Sequence, residues 1–389
     1  MRKLMSLLLA CVAVLSLAIG MGSLVSASAA ITLEIDGQVI APSVAPVVDN
    51  GTTLVPLRVI SETLGAEVAW IAAQNQVVIN TAAYTVVFTI DSTSFTVNGA
   101  TKMLTSAPKI INGSTMVPIR AMSEAIGAGV NYDSTTNKAT VTYFTNMIGS
   151  IKVSGSTTVL PIMQAAADEL VAMNNNLTIT VSGGGSGTGI NDSLNGINNI
   201  GMSSRDLTID EKNSLVPVKM ANDGIAVIVH PNNPVTNLTS EQAKQIFLGE
   251  IKNWQDVGGK NAPILVQTRE TGSGTLATLE EMLLEKQKVV GTATPFTSSA
   301  LIKQAVAQSE TAIGFDSVGF VDSSVKMVSI DNVTPNDSTV KDNSYVLSRS
   351  LYVVTKDIPS GINAKLIDFL CTLTVQESIV KTEGYITLH

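Results

Sequence analysis

Residues 151–173 read IKVSGSTTVLPIMQAAADELVAM, and this stretch sets the pattern for most of the chain. Residues 151–154 suit a buried strand, and residues 159–173 repeat their apolar positions with the period of an α-helix. The same strand–turn–helix order continues, with strands predicted at 177–182, 225–230 and 264–267 and helices at 240–248 and 276–287. Alternating strands and helices predict an α/β domain with a largely parallel sheet.

Three of the predicted strand-to-helix turns share one composition. They are residues 154–158 (SGSTT), 183–189 (GGGSGTG) and 269–275 (RETGSGT). Glycine lets a ligand approach the backbone, and the free N–H groups of a helix start favour negative charge. Hydroxyls add donors, and Arg269 adds a planar, permanently charged fork. A fourth turn, residues 202–206 (MSSRD), could complete the set of turns around one site. Together the turns predict a site for a tetrahedral oxyanion.

The motifs of nucleotide-binding proteins and hydrolases are missing from these turns. There is no GxxxxGK[ST] run, and residues 183–189 do not fit GxGxxG. Ser186 and Ser273 are flanked by glycine, but neither satisfies the GxSxG motif of a serine nucleophile. No motif in the sequence indicates a pair of carboxylates for general acid–base catalysis. We therefore predict no catalytic residue. Taken singly, each turn could also be no more than a capped helix start.

Residues 1–29 are predicted to be a signal peptide. Arg2 and Lys3 precede an apolar run at 4–19, and residues 27–29 (ASA) suit a cleavage site. A retained membrane anchor and a lipoprotein signal ending at Cys11 stay open as alternatives, but we expect an exported, extracytoplasmic protein. The net charge of −8 would become −10 after cleavage, which argues against nucleic acid as a partner.

An internal repeat lies within residues 31–144. NGTTLVPLR at 50–58 returns 62 residues later as NGSTMVPIR at 112–120, and the similarity extends into the segments that follow. Each copy predicts a turn, a short strand, a helix and further strands, which together make a small α+β domain.

Proline and glycine predict where the repeat's helices begin and end. Pro56 and Pro118 suit a first helical turn, because their φ is already fixed near the helical value. Gly65 and Gly127 suit the left-handed position that ends a helix.

This repeat resembles the copper amine oxidase N-terminal-like domain. No metal site is expected, because a copper site needs several imidazoles and the whole chain has only His230 and His389. The resemblance implies an accessory module that engages the cell envelope, and the cell wall is one candidate partner. Arg58 and Arg120 are candidate ligand contacts, but pairing with the glutamates four residues on is favoured. Residues 145–150 read as a short polar linker that allows movement between domains.

Residues 150–389 resemble the phosphate-binding proteins of ABC-type phosphate importers, which have the type 2 periplasmic-binding-protein fold. The motifs that carry the resemblance are, in order, VSGSTTVLP, GGGSGTG, IGMSSRDL, FLGEIKNWQDVGG and RETGSGT. It implies two lobes joined by a hinge, lobe one at about 150–224 and 348–389 and lobe two at about 225–347. It also implies a monomer without a cofactor that binds inorganic phosphate and delivers it to a membrane permease.

The resemblance also implies which residues contact the anion. By position they are Thr157, Thr158, Ser186, Ser204, Arg269, Ser273, Gly274 and Thr275.

Some family members have an aspartate where this chain has Ser204, or an acid where it has Thr271. Such a carboxylate can distinguish protonated phosphate from sulfate, and Glu270 or Asp206 could fill that role here; a solvated or arginine-paired carboxylate is the alternative for both. A sulfate-like ligand, and an envelope-binding structural protein that uses the repeats, stay open as alternative functions.

Overall fold

The computed structural model describes residues 30–388, so the predicted signal peptide lies outside the described residues. The N-terminal module consists of short strands and two helices. Its strands are β1 (Thr32–Ile35), β2 (Gln38–Ile40), β3 (Val47–Asp49), β4 (Thr52–Pro56), β5 (Glu67–Ile71), β6 (Gln76–Asn80), β7 (Thr85–Thr89), β8 (Ser94–Val97), β9 (Ala100–Met103), β10 (Lys109–Ile111), β11 (Ser114–Pro118), β12 (Gly129–Asp133) and β13 (Lys138–Thr142). Its helices are α1 (Leu57–Thr63) and α2 (Ile119–Ala125).

These strands form three sheets, in the orders β12-β13-β1-β2, β10-β11-β4-β3 and β5-β6-β7-β8-β9. The second sheet joins the two repeats, because β4 and β11 pair antiparallel with Val55 opposite Val117. These two valines are equivalent positions of the repeat, so the sheet has an approximate two-fold relation between its halves. The sequence repeat is therefore a structural repeat as well.

The ends of the repeat helices follow the prolines and glycines. Pro56 and Pro118 are the last residues of their strands and precede the first helical residue, one position earlier than predicted. Gly65 and Gly127 both have φ of 78°, so the predicted helix ends are confirmed. Arg58 pairs with Glu62 at 2.9 Å as expected, whereas the described residues contain no equivalent ion pair at Arg120.

The C-terminal part alternates strands with helices. Its strands are β14 (Gly149–Gly155), β15 (Leu177–Gly183), β16 (Ile200–Ser203), β17 (Val216–Val229), β18 (Asn237–Leu238), β19 (Leu265–Arg269), β20 (Thr294–Phe296), β21 (Ala312–Ser317), β22 (Lys326–Ile330) and β23 (Ser348–Thr355). Its helices are α3 (Leu160–Met173), α4 (Ser186–Leu194), α5 (Ile209–Lys212), α6 (Ser240–Phe247), α7 (Gly274–Met282), α8 (Ser299–Ala307), α9 (Asp337–Lys341), α10 (Gly361–Cys371) and α11 (Leu373–Val375). Single 3₁₀ or π turns lie at Ala72–Gln74, Trp254–Val257, Val318–Phe320 and Gln376–Val380.

The long strand β17 divides this part into two lobes. From Val216 to Gly224 it pairs with β23, and from Ile225 to Val229 it pairs with β21. The sheet order is β15-β14-β16-β23-β17-β21-β19-β20. The strands at each end of this order, β15-β14-β16 and β21-β19-β20, pair in parallel. The two strands between them, β23 and β17, pair antiparallel with each other and with their neighbours, so the sheet is mixed and not largely parallel.

The segment at 145–150 is held in place, contrary to the mobility expected of a linker. Met147 is completely buried, and the side-chain amide of Asn174 donates hydrogen bonds to the carbonyl oxygens of Thr145 and Met147. One continuous apolar core runs from the N-terminal module into lobe one, and lobe two has a core of its own. The module and lobe one are therefore packed as one unit. Between Ala30 and Leu388 no helix combines the length and apolar character needed to cross a membrane.

Candidate functional site

The first glycine-, serine- and threonine-containing turn joins β14 to α3. The strand ends at Gly155 and the helix begins at Leu160, so Thr157 and Thr158 lie in the turn between them. The Ser156 hydroxyl accepts a hydrogen bond from the backbone N–H of Thr158 at 3.2 Å, which fixes the shape of the turn. Both threonines are at least nine-tenths buried.

The second turn precedes α4 and meets the fourth. Gly184 and Gly185 have φ of 149° and 90°, which only glycine adopts readily, and the helix begins at Ser186. The Ser186 hydroxyl lies 3.2 Å from that of Ser204 and accepts the Ser204 backbone N–H at 3.0 Å. These two turns therefore form one surface of lobe one.

The third turn belongs to lobe two and joins β19 to α7. The Ser273 hydroxyl accepts a hydrogen bond from the backbone N–H of Leu276, which makes Ser273 the N-terminal cap of the helix. Gly274 begins the helix, and a Cβ placed there would lie 2.3 Å from the Ser186 hydroxyl oxygen and 2.6 Å from that of Ser204. Glycine is therefore what lets this turn approach lobe one so closely.

Arg269 lies at the end of β19 and donates hydrogen bonds to both lobes. Its Nη2 donates to the Thr157 hydroxyl at 2.9 Å, and its Nη1 donates to the Ser299 hydroxyl at 3.1 Å. Further bonds at 3.2 Å run to the carbonyl oxygens of Phe296 and Thr297. Burial lowers the pKa of Arg269 and the charge of nearby Asp316 opposes that shift, but no carboxylate among residues 30–388 lies within ion-pair distance of the guanidinium. A buried, unpaired guanidinium is a strong attractor for an anion.

The two lobes are in contact at these turns. The hydroxyls of Thr158 and Thr275 are hydrogen-bonded at 3.1 Å, and the backbone N–H of Gly187 donates to the carbonyl oxygen of Gly272 at 2.9 Å. All eight predicted contact residues are buried here, and we call them the cleft cluster: Thr157, Thr158, Ser186, Ser204, Arg269, Ser273, Gly274 and Thr275. The cluster combines a guanidinium, several hydroxyls and the starts of helices α4 and α7, the donor set that replaces the water around an oxyanion.

The two predicted selectivity carboxylates lie outside the cleft cluster. Glu270 and Asp206 are both exposed, and Asp206 accepts a hydrogen bond from the Tyr352 hydroxyl at 2.7 Å. The buried carboxylates near the cluster are instead Asp223 and Asp316, neither of which lies in one of the predicted turns.

Four residues beside the cluster were missed from the sequence. Ser299 contacts Arg269, Arg349 donates from Nη1 to the Ser204 carbonyl oxygen at 2.9 Å, and Asp223 pairs with Arg349 at 2.7 Å. Asp316 is fully buried, and burial raises its pKa to about 6. A signal was present only for Arg349 and Asp316, because each is the one charged residue of its strand, whereas Asp223 shares β17 with Lys219.

Comparisons with known proteins agree with this geometry. Residues 123–372 match the profile of the PBP superfamily domain, and residues 34–141 match that of the copper amine oxidase N-terminal domain. The phosphate-binding protein PstS of Bacillus subtilis (strain 168) is 33% identical over 244 residues, which cover 61% of this chain and 80% of the relative.

Solved structures show the same fold. A protein from Clostridium perfringens, assigned as a phosphate ABC transporter substrate-binding protein and solved with bound phosphate, is 37% identical with a TM-score of 0.60. It covers 62% of this chain and 100% of its own. An ABC-type phosphate transport receptor from Vibrio cholerae is 35% identical with a TM-score of 0.53, covering 61% and 99%. The predicted two-lobed fold is confirmed, and the chain belongs to the PBP superfamily, within the family of PstS phosphate-binding proteins.

Proposed function

We propose that the chain is an extracytoplasmic solute-binding protein that captures inorganic phosphate between its two lobes. The observation that carries the proposal is the burial of Arg269, without a carboxylate partner among the described residues, in a cluster of hydroxyls from both lobes. Burying a guanidinium this way is costly unless a negative charge joins it. A tetrahedral oxyanion is the ligand whose oxygens can use all of these donors together.

Each part of the cleft cluster has a role in this proposal. Arg269 supplies the charge, and the hydroxyls of Thr157, Thr158 and Thr275 turn to donate to the anion's oxygens. The helix starts at Ser186 and Gly274 supply backbone N–H groups and the favourable ends of two helix dipoles. Because these groups belong to different lobes, the anion would hold the lobes together.

The remaining parts of the proposal rest on similarity to the PstS family. The chain would act without catalysis, as an exported monomer outside the cytoplasm, and would deliver phosphate to the membrane permease of an ABC importer. The N-terminal module would serve as an accessory that engages the cell envelope, with the cell wall as the partner to test.

The test is calorimetric titration of the exported chain with phosphate, with sulfate as competitor. We expect phosphate to bind, and we expect Arg269→Ala to weaken binding by about 2–5 kcal/mol, the usual cost of removing a buried charge partner. Arg205→Ala is the matched control, because Arg205 pairs with Glu211 at 2.8 Å outside the cleft cluster. Undiminished affinity in Arg269→Ala would refute the site, and tighter binding of sulfate than of phosphate would favour the alternative ligand.

A further inference from the structure

The last described residues of the chain lie between the two lobes, and we call residues 384–388 the C-terminal tail. Gly384, with φ of 82°, ends the helical turn that precedes it and lets the chain leave that turn. Ile386 then exchanges two backbone hydrogen bonds with Asn222 of β17, at 2.8 and 3.1 Å. Asn222 lies just before the point where β17 passes from lobe one to lobe two, so the tail is attached at the hinge.

Neighbouring side chains of the tail enter different cores. Tyr385 is part of the core shared by the N-terminal module and lobe one, whereas Ile386 is part of the core of lobe two. Successive side chains of an extended chain point in opposite directions, which is why a single segment can serve both cores. The Thr387 hydroxyl accepts a hydrogen bond from Nζ of Lys341, on α9 of lobe two, at 3.2 Å. The tail therefore connects the lobes beside β17 and β23, but it reaches lobe two only through non-covalent contacts.

The side chain of Tyr385 contacts both lobes at the edge of the cleft cluster. Its ring lies against Gly319 in the turn that follows β21, and a Cβ on Gly319 would lie 2.6 Å from two ring carbons. Its hydroxyl donates to the carbonyl oxygen of Thr158 in lobe one at 2.6 Å. Burial raises the pKa of Tyr385 well above its usual value, so the hydroxyl keeps its proton and stays a donor at neutral pH.

The bond from Tyr385 holds the first anion-binding turn by its backbone. Two other carbonyl oxygens of this turn, those of Ser156 and Val159, accept backbone N–H groups of α3 at 3.1 Å. The carbonyl oxygen of Thr158 instead accepts the Tyr385 hydroxyl, so the orientation of this peptide group depends on the tail. The hydroxyl of the same Thr158 is a proposed contact of the anion.

We propose that Tyr385 is a positioning residue that couples the approach of the two lobes to the geometry of the first anion-binding turn. The inference rests on the proposed function, because it requires the anion to contact Thr158. When lobe two is in place, Gly319 confines the ring of Tyr385 and keeps its hydroxyl on the Thr158 carbonyl oxygen. When lobe two moves away, the ring loses that surface and gains freedom, so the turn is less well ordered for the anion.

The test is calorimetric titration of the full exported chain and of Tyr385→Phe with inorganic phosphate. Phenylalanine keeps the ring against Gly319 but leaves the buried carbonyl oxygen of Thr158 without its donor. We expect the affinity for phosphate to fall roughly fivefold to a hundredfold. If the unaltered chain binds phosphate and Tyr385→Phe binds it equally well, this inference fails alone. If the unaltered chain does not bind phosphate, the proposed function fails.

Tyr345→Phe is the matched control. The Tyr345 hydroxyl is also buried and also donates to a backbone carbonyl oxygen, that of Ile225 at 2.7 Å, but this bond lies within lobe two and outside the cleft cluster. The control should bind phosphate as tightly as the unaltered chain. Equal losses of affinity in both variants would mean that any buried tyrosine bond supports binding, and would overturn the specific role of Tyr385.

Thermal unfolding with and without phosphate separates a positioning role from a structural one. Because lobe two confines the ring only when the lobes are together, Tyr385→Phe should melt close to the unaltered chain in the absence of phosphate. Saturating phosphate should then raise its melting temperature less than that of the unaltered chain. A melting temperature lowered equally with and without phosphate would show that the bond serves stability alone and would contradict the proposal.

Hydrogen–deuterium exchange of the unaltered chain gives a second measurement that needs no variant. Contacts of the tail with Gly319 and Lys341 of lobe two depend on the approach of the lobes, so phosphate should slow exchange in residues 381–388. Residues 76–80, which form β6 of the N-terminal module, should exchange at the same rate with and without phosphate. Exchange in the tail that does not respond to phosphate would overturn the coupling.

Discussion

At Gly274 the backbone of lobe two lies directly against two hydroxyls of lobe one. A methyl group there would overlap the oxygens of Ser186 and Ser204, at 2.3 and 2.6 Å. Alanine suits the start of α7, so Gly274→Ala should fold normally and oppose only the approach of the lobes. We expect its phosphate affinity, measured by calorimetry, to fall at least about tenfold.

Gly291→Ala is the control for that substitution. A Cβ at Gly291 would meet nothing within 4 Å, so its phosphate affinity should equal that of the unaltered chain. Equal affinities in both variants would show that the close contact at Gly274 does not belong to the phosphate-bound form.

Single residues were predictable where their role depends on local chemistry. Ser186 and Thr157 stand in glycine-containing turns before helices, and this pattern is visible in a short window of sequence. Ser299 follows a strand of only three residues, which is too short for periodicity to detect. Asp316 gains its position from the order of strands in the sheet, which no local pattern encodes.

Among the elements, β17 carries the connection between the lobes and holds a buried ion pair at its midpoint. The Asp223 and Arg349 side chains are 0% and 3% exposed and lie 2.7 Å apart. Removing one partner would leave an uncompensated buried charge, which costs about 3–5 kcal/mol. We expect Asp223→Ala to lower the free energy of unfolding by this amount, measured by urea denaturation followed by circular dichroism.

Glu62→Ala tests whether that loss reflects burial. Glu62 also pairs with an arginine, at 2.9 Å, but on the surface of α1, where solvent screens the interaction. Its loss should change the unfolding free energy little. Similar effects of the two substitutions would mean that the pair at the crossing strand is not a structural anchor.

Elements were predicted well where their pattern is uninterrupted, as at 177–182, where β15 runs from Leu177 to Gly183. The apolar run at 225–230 predicts only the second half of β17, and nothing in the sequence before it predicts the first half. That half contains Pro217 and the run Asn222-Asp223-Gly224, which are residues typical of turns. Pairing with β23 along its length keeps the segment extended, so tertiary contacts override its local preference.

On the scale of the whole molecule, the N-terminal module and lobe one share a core. The composition of residues 145–150 predicted mobility, but the contacts that hold the segment come from Asn174, which donates to the Thr145 carbonyl oxygen, and from Lys365, which donates to Oδ1 of Asn146. A hinge at β17 would therefore move lobe two against a unit formed by the module and lobe one.

Asp368 on α10 links lobe one to the N-terminal module by hydrogen bonds, and it should make the stability of the folded chain depend on pH. Its carboxylate accepts hydrogen bonds from the Tyr143 hydroxyl at 2.6 Å and from the backbone N–H of Ala82 at 2.7 Å. Burial raises the pKa of Asp368 from 3.8 to about 7, against the opposing effects of the hydrogen bonds from Tyr143 and Ala82 and of the charge of Lys365. The folded chain thus holds this proton more tightly than the unfolded chain.

The contribution of Asp368 to stability is therefore largest in acid and is lost as the pH rises from about 4 to about 7, by up to about 1.4 kcal/mol per pH unit. We expect Asp368→Asn to remove this part of the slope when urea unfolding is measured across that range. Asp168→Asn, which changes an exposed carboxylate on α3, should keep the slope of the unaltered chain. If Asp368→Asn also keeps it, the junction between the module and lobe one does not hold a proton, and the pH dependence must arise elsewhere in the fold.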